Sequence, residues 1–469
     1  MELPYLQDAV LEKRVKTFSR NLFTETIPPE TSHASAVINF SGAQLNSNDP
    51  IEDMEPEAIV YAYENSTRRP LIVAAVADGH SGPYTSAWLK GQLSNLMIGT
   101  LLMSNGFKIS FPPLEKQTGT IPIPSAFKLN PKEMEGHIKK SFIAVDQYLV
   151  WQMPKVLMEQ LAGKAKNSTE PSSKMVGQIL PGYSGACALT AVVDTEEQQM
   201  WVAVAGDCRA VAGFYDQEED GSGTWRVDVL SEDQTAESPK EVARIISEHP
   251  KDNPAEVIAG GRVLGSLQPS RSFGDLRYKW TVEAQNNVLP KILPPEIKQR
   301  PPPRNLNTPP YVTAEPEVQY RKFNLPSSPS DSTKSTLRFL ILATDGLWDQ
   351  LSSNDAVALV AAHISGQRGS IPRPKLLKQL PLVEDHATKT SSPLPHTAKA
   401  AENVKWAFRD ESLGMHLIRN ACGGDDEVTI RQTLSIPAPY SRRFRDDITV
   451  AVITFESAPL QNNKVKVKL

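Results

Sequence analysis

The sequence predicts an α+β chain, and three features predict it. Apolar runs of strand length occupy residues 71–77, 187–193, 199–205 and 337–344, each stopped by an acid or a turn former. Residues 65–70 and 194–198 are hairpin-length connections that join neighbouring runs, so the pairing is antiparallel. Residues 88–103 and 131–161 instead carry apolar side chains at helical spacing.

In chain order, residues 1–35 read as a polar lead-in. Within it Leu11, Val15, Phe18 and Leu22 fall at helical spacing among Lys13, Arg14, Lys16 and Arg20, the pattern of a surface helix. Glu2, Asp8 and Glu12 argue against an organellar transit peptide, which is normally poor in acids. Turn formers fill residues 46–54 and end in the paired acids Glu52 and Asp53. Residues 59–63 predict a first strand that pairs as a hairpin with 71–77. The latter run is apolar without interruption, as a strand buried on both faces requires. It stops at Asp78-Gly79-His80-Ser81-Gly82, where Gly79 is expected to let the chain turn.

The helix over 88–103 buries Trp88, Leu89, Leu93, Leu96 and Met97, and that over 131–161 buries Ile138, Phe142, Val145 and Leu149. The 199–205 run ends in Gly206-Asp207-Cys208-Arg209, and strand character resumes over 210–214. Ser238-Pro239-Lys240-Glu241 has the form of a capping box, starting a helix that buries Val242, Ile245 and Ile246 and stops before Pro250. Eight prolines between residues 290 and 310 predict a loop, or else a partner-binding surface. The 337–344 run leads into Asp345-Gly346-Leu347-Trp348-Asp349, and Ser352 caps a following helix. Residues 366–398 are rich in Pro, Ser, Thr and Lys and read as a flexible insertion. A last strand over 448–455 is preceded by Asp446-Asp447.

Composition narrows the function. The formal net charge of -4 supplies no field that would gather nucleic acid. The three cysteines form no Cys-x-x-Cys pair, which argues against a disulfide framework or a thiolate zinc site and fits a reducing compartment. No apolar run approaches the 18 or so residues of a transmembrane segment.

Acids recur at strand ends: Asp78, Asp207 and Asp345 close three runs, Asp446 opens a fourth, and Glu52-Asp53 precede the first. Each alone is an ordinary turn or surface acid. Together they predict carboxylates converging at one edge of the sheets. Two carboxylates about 4 Å apart repel by roughly 4 kcal/mol at an effective dielectric near 20. Such a cluster raises its pKa values or binds cations, and all-oxygen ligands favour magnesium or manganese over zinc. His80 has no second histidine at ligand spacing and fits an acid or base better than a ligand. A hydrolase using metal-activated water is the leading reading, against unrelated surface acids.

Four motifs, Ala77-Asp78-Gly79-His80-Ser81-Gly82, Ala205-Gly206-Asp207-Cys208-Arg209, Ala343-Thr344-Asp345-Gly346-Leu347-Trp348-Asp349 and Arg445-Asp446-Asp447-Ile448-Thr449-Val450, occur in the order of the metal-dependent serine/threonine phosphatase family (PPM type) and resemble its motifs. Asn48-Asp49-Pro50-Ile51-Glu52-Asp53, Ser270-Arg271-Ser272-Phe273-Gly274-Asp275 with Lys279-Trp280, residues 308–318 and residues 416–421 are similar to its pyruvate dehydrogenase phosphatase branch. The resemblance covers about residues 40 to 456. It implies a four-layer α-β-β-α sandwich of two mainly antiparallel sheets, as one domain over 36–456. The loop insertions would lie near 286–310 and 366–400, with a tail over 457–469.

The resemblance also implies roles. Asp78 bridges two Mg2+ or Mn2+ ions, with Glu52 and the Gly79 carbonyl on one side and Asp345 and Asp446 on the other. Asp207 and Asp349 belong to a third, weaker site. Asp53 orients water, His80 protonates the leaving serine or threonine oxygen, and a metal-bridging water attacks phosphorus. Asn48 stands where many members use an arginine to hold the substrate phosphate; asparagine donates a hydrogen bond without charge. Ser81 and Cys208, in place of a commoner glycine and serine, read as tolerated packing changes. The implied partner is a phosphoprotein, the pyruvate dehydrogenase complex, in the mitochondrial matrix; without a leader the alternative compartment is cytoplasmic. Two other functions compete. A catalytically inactive scaffold would have lost a metal acid, and an unrelated metal hydrolase such as a nuclease would carry a basic patch.

Overall fold

Alternate side chains of the strand Leu71–His80 enter two different cores. Leu71, Val73, Ala75 and Ala77 face one way and pack with Leu93, Met97, Ile138 and Phe142 of covering helices. Ile72, Ala74 and Val76 face the other way and meet Leu340, Leu342, Ala451 and Ile453 of a second sheet. A third core packs the far face of that second sheet, through Phe339, Ile341, Val450 and Val452, against Val357, Val360, Leu417 and Ile418. The layers are therefore helix, sheet, sheet, helix. Unbroken apolarity along 71–77 is the sequence signature of burial on both faces.

The computed structural model describes residues 10–24, 36–107, 120–164, 173–217, 223–293, 297–326, 335–380, 382–384, 404–438 and 440–457. One sheet orders its strands Glu317–Lys322, Gln199–Ala205, Gly185–Asp194, Leu71–His80, Glu57–Tyr63 and Thr120–Ile123, with the short strand Phe273–Gly274 also paired to Gly185–Asp194. The other runs Val15–Thr24, Ala36–Leu45, Ile448–Ser457, Ser335–Ala343, Arg209–Gln217, Gly223–Val229 and Leu382–Glu384. Pairing is antiparallel except where Thr120–Ile123 meets Glu57–Tyr63 and Leu382–Glu384 meets Gly223–Val229. Both expected hairpins form, with Ile59 opposite Val73 and Asp194 opposite Gln199.

Several expectations need correction. The lead-in holds an edge strand, Val15–Thr24, after a short helix Val10–Arg14. Val15 packs in the outer core while Phe18 and Leu22 reach the inner one, the alternation of a strand. Helical spacing misleads here because the pairing edge, Ala36–Leu45, is non-local information. The 88–103 helix is two, Tyr84–Leu89 and Gln92–Ser104, broken at Gly91 with φ 67°, and Leu96 is exposed. The 131–161 helix contains a π-helical turn, Tyr148–Gln152. Ser238 makes no side-chain cap, because Glu241 is turned to Arg271, Arg244 and Ser270 instead; the helix Pro239–Glu248 buries Glu241 and Ile245. Pro290 sits inside the helix Val282–Ile292, and the irregular segment follows it. The expected insertion after 366 begins with regular structure, Gly369–Pro372, Arg373–Gln379 and Leu382–Glu384; its residues 385–398 lie outside the described residues.

Candidate metal-dependent active site

Antiparallel pairing explains why acids at strand ends and strand starts meet. The end of Ser335–Ala343 lies beside the start of Ile448–Ser457, with Ala343 opposite Val450, so Asp345 and Asp446 share an edge. The same logic brings the segment before Glu57–Tyr63 to the end of Leu71–His80, where Met54 N donates to Ala77 O at 2.8 Å. Asp207 follows Gln199–Ala205 through Gly206, whose φ of 116° and close approach to Cys187 leave no room for a side chain.

Ligand atoms of Asp78, Asp207 and Asp345 lie within 4.8 Å of one another. A cavity of about 440 Å³ opens on them and is also lined by Glu52, His80, Asp275 and Asp446. Burial, then the charge of Asp345, pushes Asp78 well above the usual carboxylate range. Burial, then Asp207, pushes Asp345 up to about 6. Asp78 and Asp345 lie close enough to interact directly, so a proton on one offsets the charge of the other. Burial likewise raises Asp207 and Glu52. Asp345 Oδ1 is buried with no hydrogen-bond partner. Crowded, desolvated oxygen donors with an unsatisfied lone pair fit a hard divalent cation.

The remaining expected residues take different places. Gly79 stays within its strand, and the turn comes at Ser81 and Gly82, with φ of 62° and 111°. Gly79 is needed for close approach instead, since a Cβ there would lie 2.1 Å from Glu52 O. Gly82 N donates to Glu52 Oε1 at 2.7 Å, fixing that carboxylate. Asp53 lies behind the cluster, buried, accepting from Thr344 Oγ1 at 2.9 Å; burial, then Asp447, raises its pKa well above the usual range. Asp349 donates its backbone N–H to Asp345 O and does not line the cavity. Asn48 does not line it either: its Nδ2 donates to Asp447 Oδ2 at 2.9 Å. Cys208 is buried in the inter-sheet core, and burial pushes its thiol up, the setting of an inert cysteine. Ser81 Oγ accepts from Arg300 at 3.0 Å, a contact no local pattern announces.

Two acids without an expected role organise the site. Asp275 Oδ2 lies 2.6 Å from His80 Nε2 and accepts from Ser272 Oγ at 2.6 Å. Asp447 accepts from Asn48 N, Asn48 Nδ2 and Glu52 N, each at 2.9 Å, and from Ser47 N. The first stands in the Ser270–Asp275 motif and the second beside Asp446, so both were visible as residues, although their partners are far away in sequence. Glu52, Asp78, Asp207, Asp345, Asp446 and His80 line the cavity, whereas Asp53 and Asp349 do not.

The family model for protein phosphatase 2C matches residues 130–380. Over 449 residues the chain is 32% identical to the mitochondrial pyruvate dehydrogenase (acetyl-transferring) phosphatase 1 of Saccharomyces cerevisiae, covering 91% of this chain and 71% of that protein. A protein phosphatase 2C homolog of Schizosaccharomyces pombe is 31% identical over 454 residues, 96% of this chain and 86% of its own. The human mitochondrial pyruvate dehydrogenase (acetyl-transferring) phosphatase 1 is 30% identical over 463 residues, 91% of this chain and 79% of its own. Together with the carboxylate cluster, these matches establish that the chain belongs to the protein phosphatase 2C family of metal-dependent serine/threonine protein phosphatases.

Proposed function

We propose that the chain is a pyruvate dehydrogenase phosphatase working in the mitochondrial matrix. The observation that carries the reaction is the cavity, where three mutually close carboxylates face an imidazole held by its own carboxylate. The substrate reading is supported by relatives from yeast and human that are named for it and match 91% of the chain. No helix among the described residues is long and apolar enough to cross a membrane.

Asp78 with Glu52, the Gly79 carbonyl, Asp345 and Asp446 would hold two Mg2+ or Mn2+ ions, and Asp207 with Asp349 a third, weaker one. Bound cations of this kind acidify water as a nucleophile and neutralise phosphoryl oxygens. His80 is buried, which disfavours its charge, yet Asp275 outweighs this and raises its pKa. The raised pKa favours the protonated ring, which would deliver its proton to the departing serine or threonine oxygen. Asp53, fixed by Thr344 behind the cluster, would orient water.

The test is phosphate release from phosphorylated pyruvate dehydrogenase compared with a generic phosphoserine protein, in Mn2+ or Mg2+. A rate at least about tenfold higher on the dehydrogenase, with a tagged chain imaged in mitochondria, supports the assignment. Equal rates on both substrates, or a cytoplasmic protein, would overturn it.

A further inference from the structure

We propose that Arg442 is the phosphate-binding side chain of this site, its guanidinium gripping the substrate phosphoryl group from the turn that is bonded to Ser47, next to Asn48. The proposal rests on the phosphatase reading of the cavity. Two divalent cations held by Glu52, Asp78, Asp345 and Asp446 would only offset the charge of those four carboxylates, so a fixed protein cation beside them would add to the grip on a phosphate dianion. Among the described residues four arginines line the cavity: Arg262, Arg277, Arg300 and Arg442.

The hydrogen bonds of three of them go to neutral oxygens at the rim. Arg262 donates to Ser266 O and Gln268 Oε1, Arg277 to Pro301 O, and Arg300 to Ser81 Oγ. Arg442 instead reaches a carboxylate of the centre, Nη1 to Asp446 Oδ1. It also lines the same cavity as two more, Glu52 and Asp345. Its side chain is nonetheless 44% exposed, so it faces the direction from which a phosphoprotein arrives.

The mounting is specific. Arg442 lies on the 3-10 turn Tyr440–Arg443. Ser441 Oγ donates to Ser47 O at 2.5 Å, Ser47 Oγ to Arg445 O at 2.7 Å, and Arg445 Nη1 to Asn46 O at 2.5 Å. The turn and the Arg445 that follows it are therefore tied to Asn46 and Ser47. Residues 46–48 supply no charge of their own, because Asn48 is neutral and its amide is taken up by Asp447. A guanidinium carried alongside provides both charge and a two-pronged donor matched to two phosphate oxygens.

The experiment compares wild type, Arg442→Ala and Arg442→Lys as full-length chains. Inorganic phosphate binding and Mn2+ binding are measured by calorimetry, and kcat and KM on a phosphoserine peptide. Arg442→Ala is expected to weaken phosphate binding and raise KM by roughly tenfold or more, with Mn2+ affinity changed by less than about threefold. Arg442→Lys should recover part of both losses, as a point charge without the fork. Phosphate affinity and KM unchanged in Arg442→Ala would overturn the proposal. So would a loss traced wholly to weaker Mn2+ binding, since Arg442 would then merely support Asp446. Should wild type release no phosphate from the peptide while its phosphate binding still depends on Arg442, the phosphatase reading falls and the assignment of Arg442 stands.

Discussion

His80 and Asp275 bond at 2.6 Å through a gap that exists because residue 185 is glycine. A Cβ on Gly185 would lie 2.1 Å from His80 Nε2 and 2.3 Å from Asp275 Oδ2. Burial disfavours charge on both partners, yet each offsets it for the other: the pKa of His80 is raised and that of Asp275 lowered. The pair thereby favours the protonated imidazole.

Asp275→Asn removes the anion while keeping a group that Ser272 can bond. The pKa of His80 should fall, so the alkaline limb of kcat against pH should move to lower pH by about one unit or more. A pH–rate profile measures this. An unmoved limb would show that Asp275 does not govern the proton on His80.

Gly185→Ala should produce the same displaced limb by forcing the pair apart. Overpacking at a buried site should also lower stability by about 1–3 kcal/mol, read from denaturant unfolding. Wild-type stability and profile together would mean that the neighbours yield at no cost.

Asp447→Ala should uncouple Glu52 from the centre. It strips the acceptor from Ser47 N, Asn48 N, Asn48 Nδ2 and Glu52 N. Buried donors left unpaired cost about 1–3 kcal/mol each, partly relieved by water, so a loss on the order of 3 kcal/mol is expected. Calorimetry should show Mn2+ affinity falling at least about tenfold, although Asp447 is itself no expected ligand.

Chelation should make stability depend on pH in a defined direction. Asp345 is raised from 3.8 to about 6 in the fold. A carboxyl whose folded pKa is raised contributes stability below its unfolded pKa and loses it as pH rises through the folded one. With EDTA, that contribution should fade between about pH 4 and pH 6. The rise in Tm on adding Mn2+ should therefore be larger at pH 7.5 than at pH 5. Equal rises at both would argue against a cation replacing the proton that the raised pKa of Asp345 retains at low pH.

Local pattern carried much of this in the sequence. Leu71–Ala77 announced a doubly buried strand because its neighbours on both faces demand apolar side chains, and Asp78, Asp207, Asp345 and Asp446 announced a centre because each stands at the end or the start of such a run. What the sequence concealed depends on distant pairing. Phe18 and Leu22 look helical until Ala36–Leu45 lies beside them. Glu241 looks like a cap until Arg271 takes it. Asn48 looks like a substrate ligand until Asp447, 399 residues later, claims its amide.

The central claim is tested most directly by Mn2+-dependent phosphate release from a phosphoserine peptide, comparing wild type with Asp78→Asn. The account predicts release by the wild type that stops with EDTA, and a rate lower by at least about a hundredfold in Asp78→Asn. Release that persists in chelator, or an Asp78→Asn enzyme as fast as wild type, would contradict it.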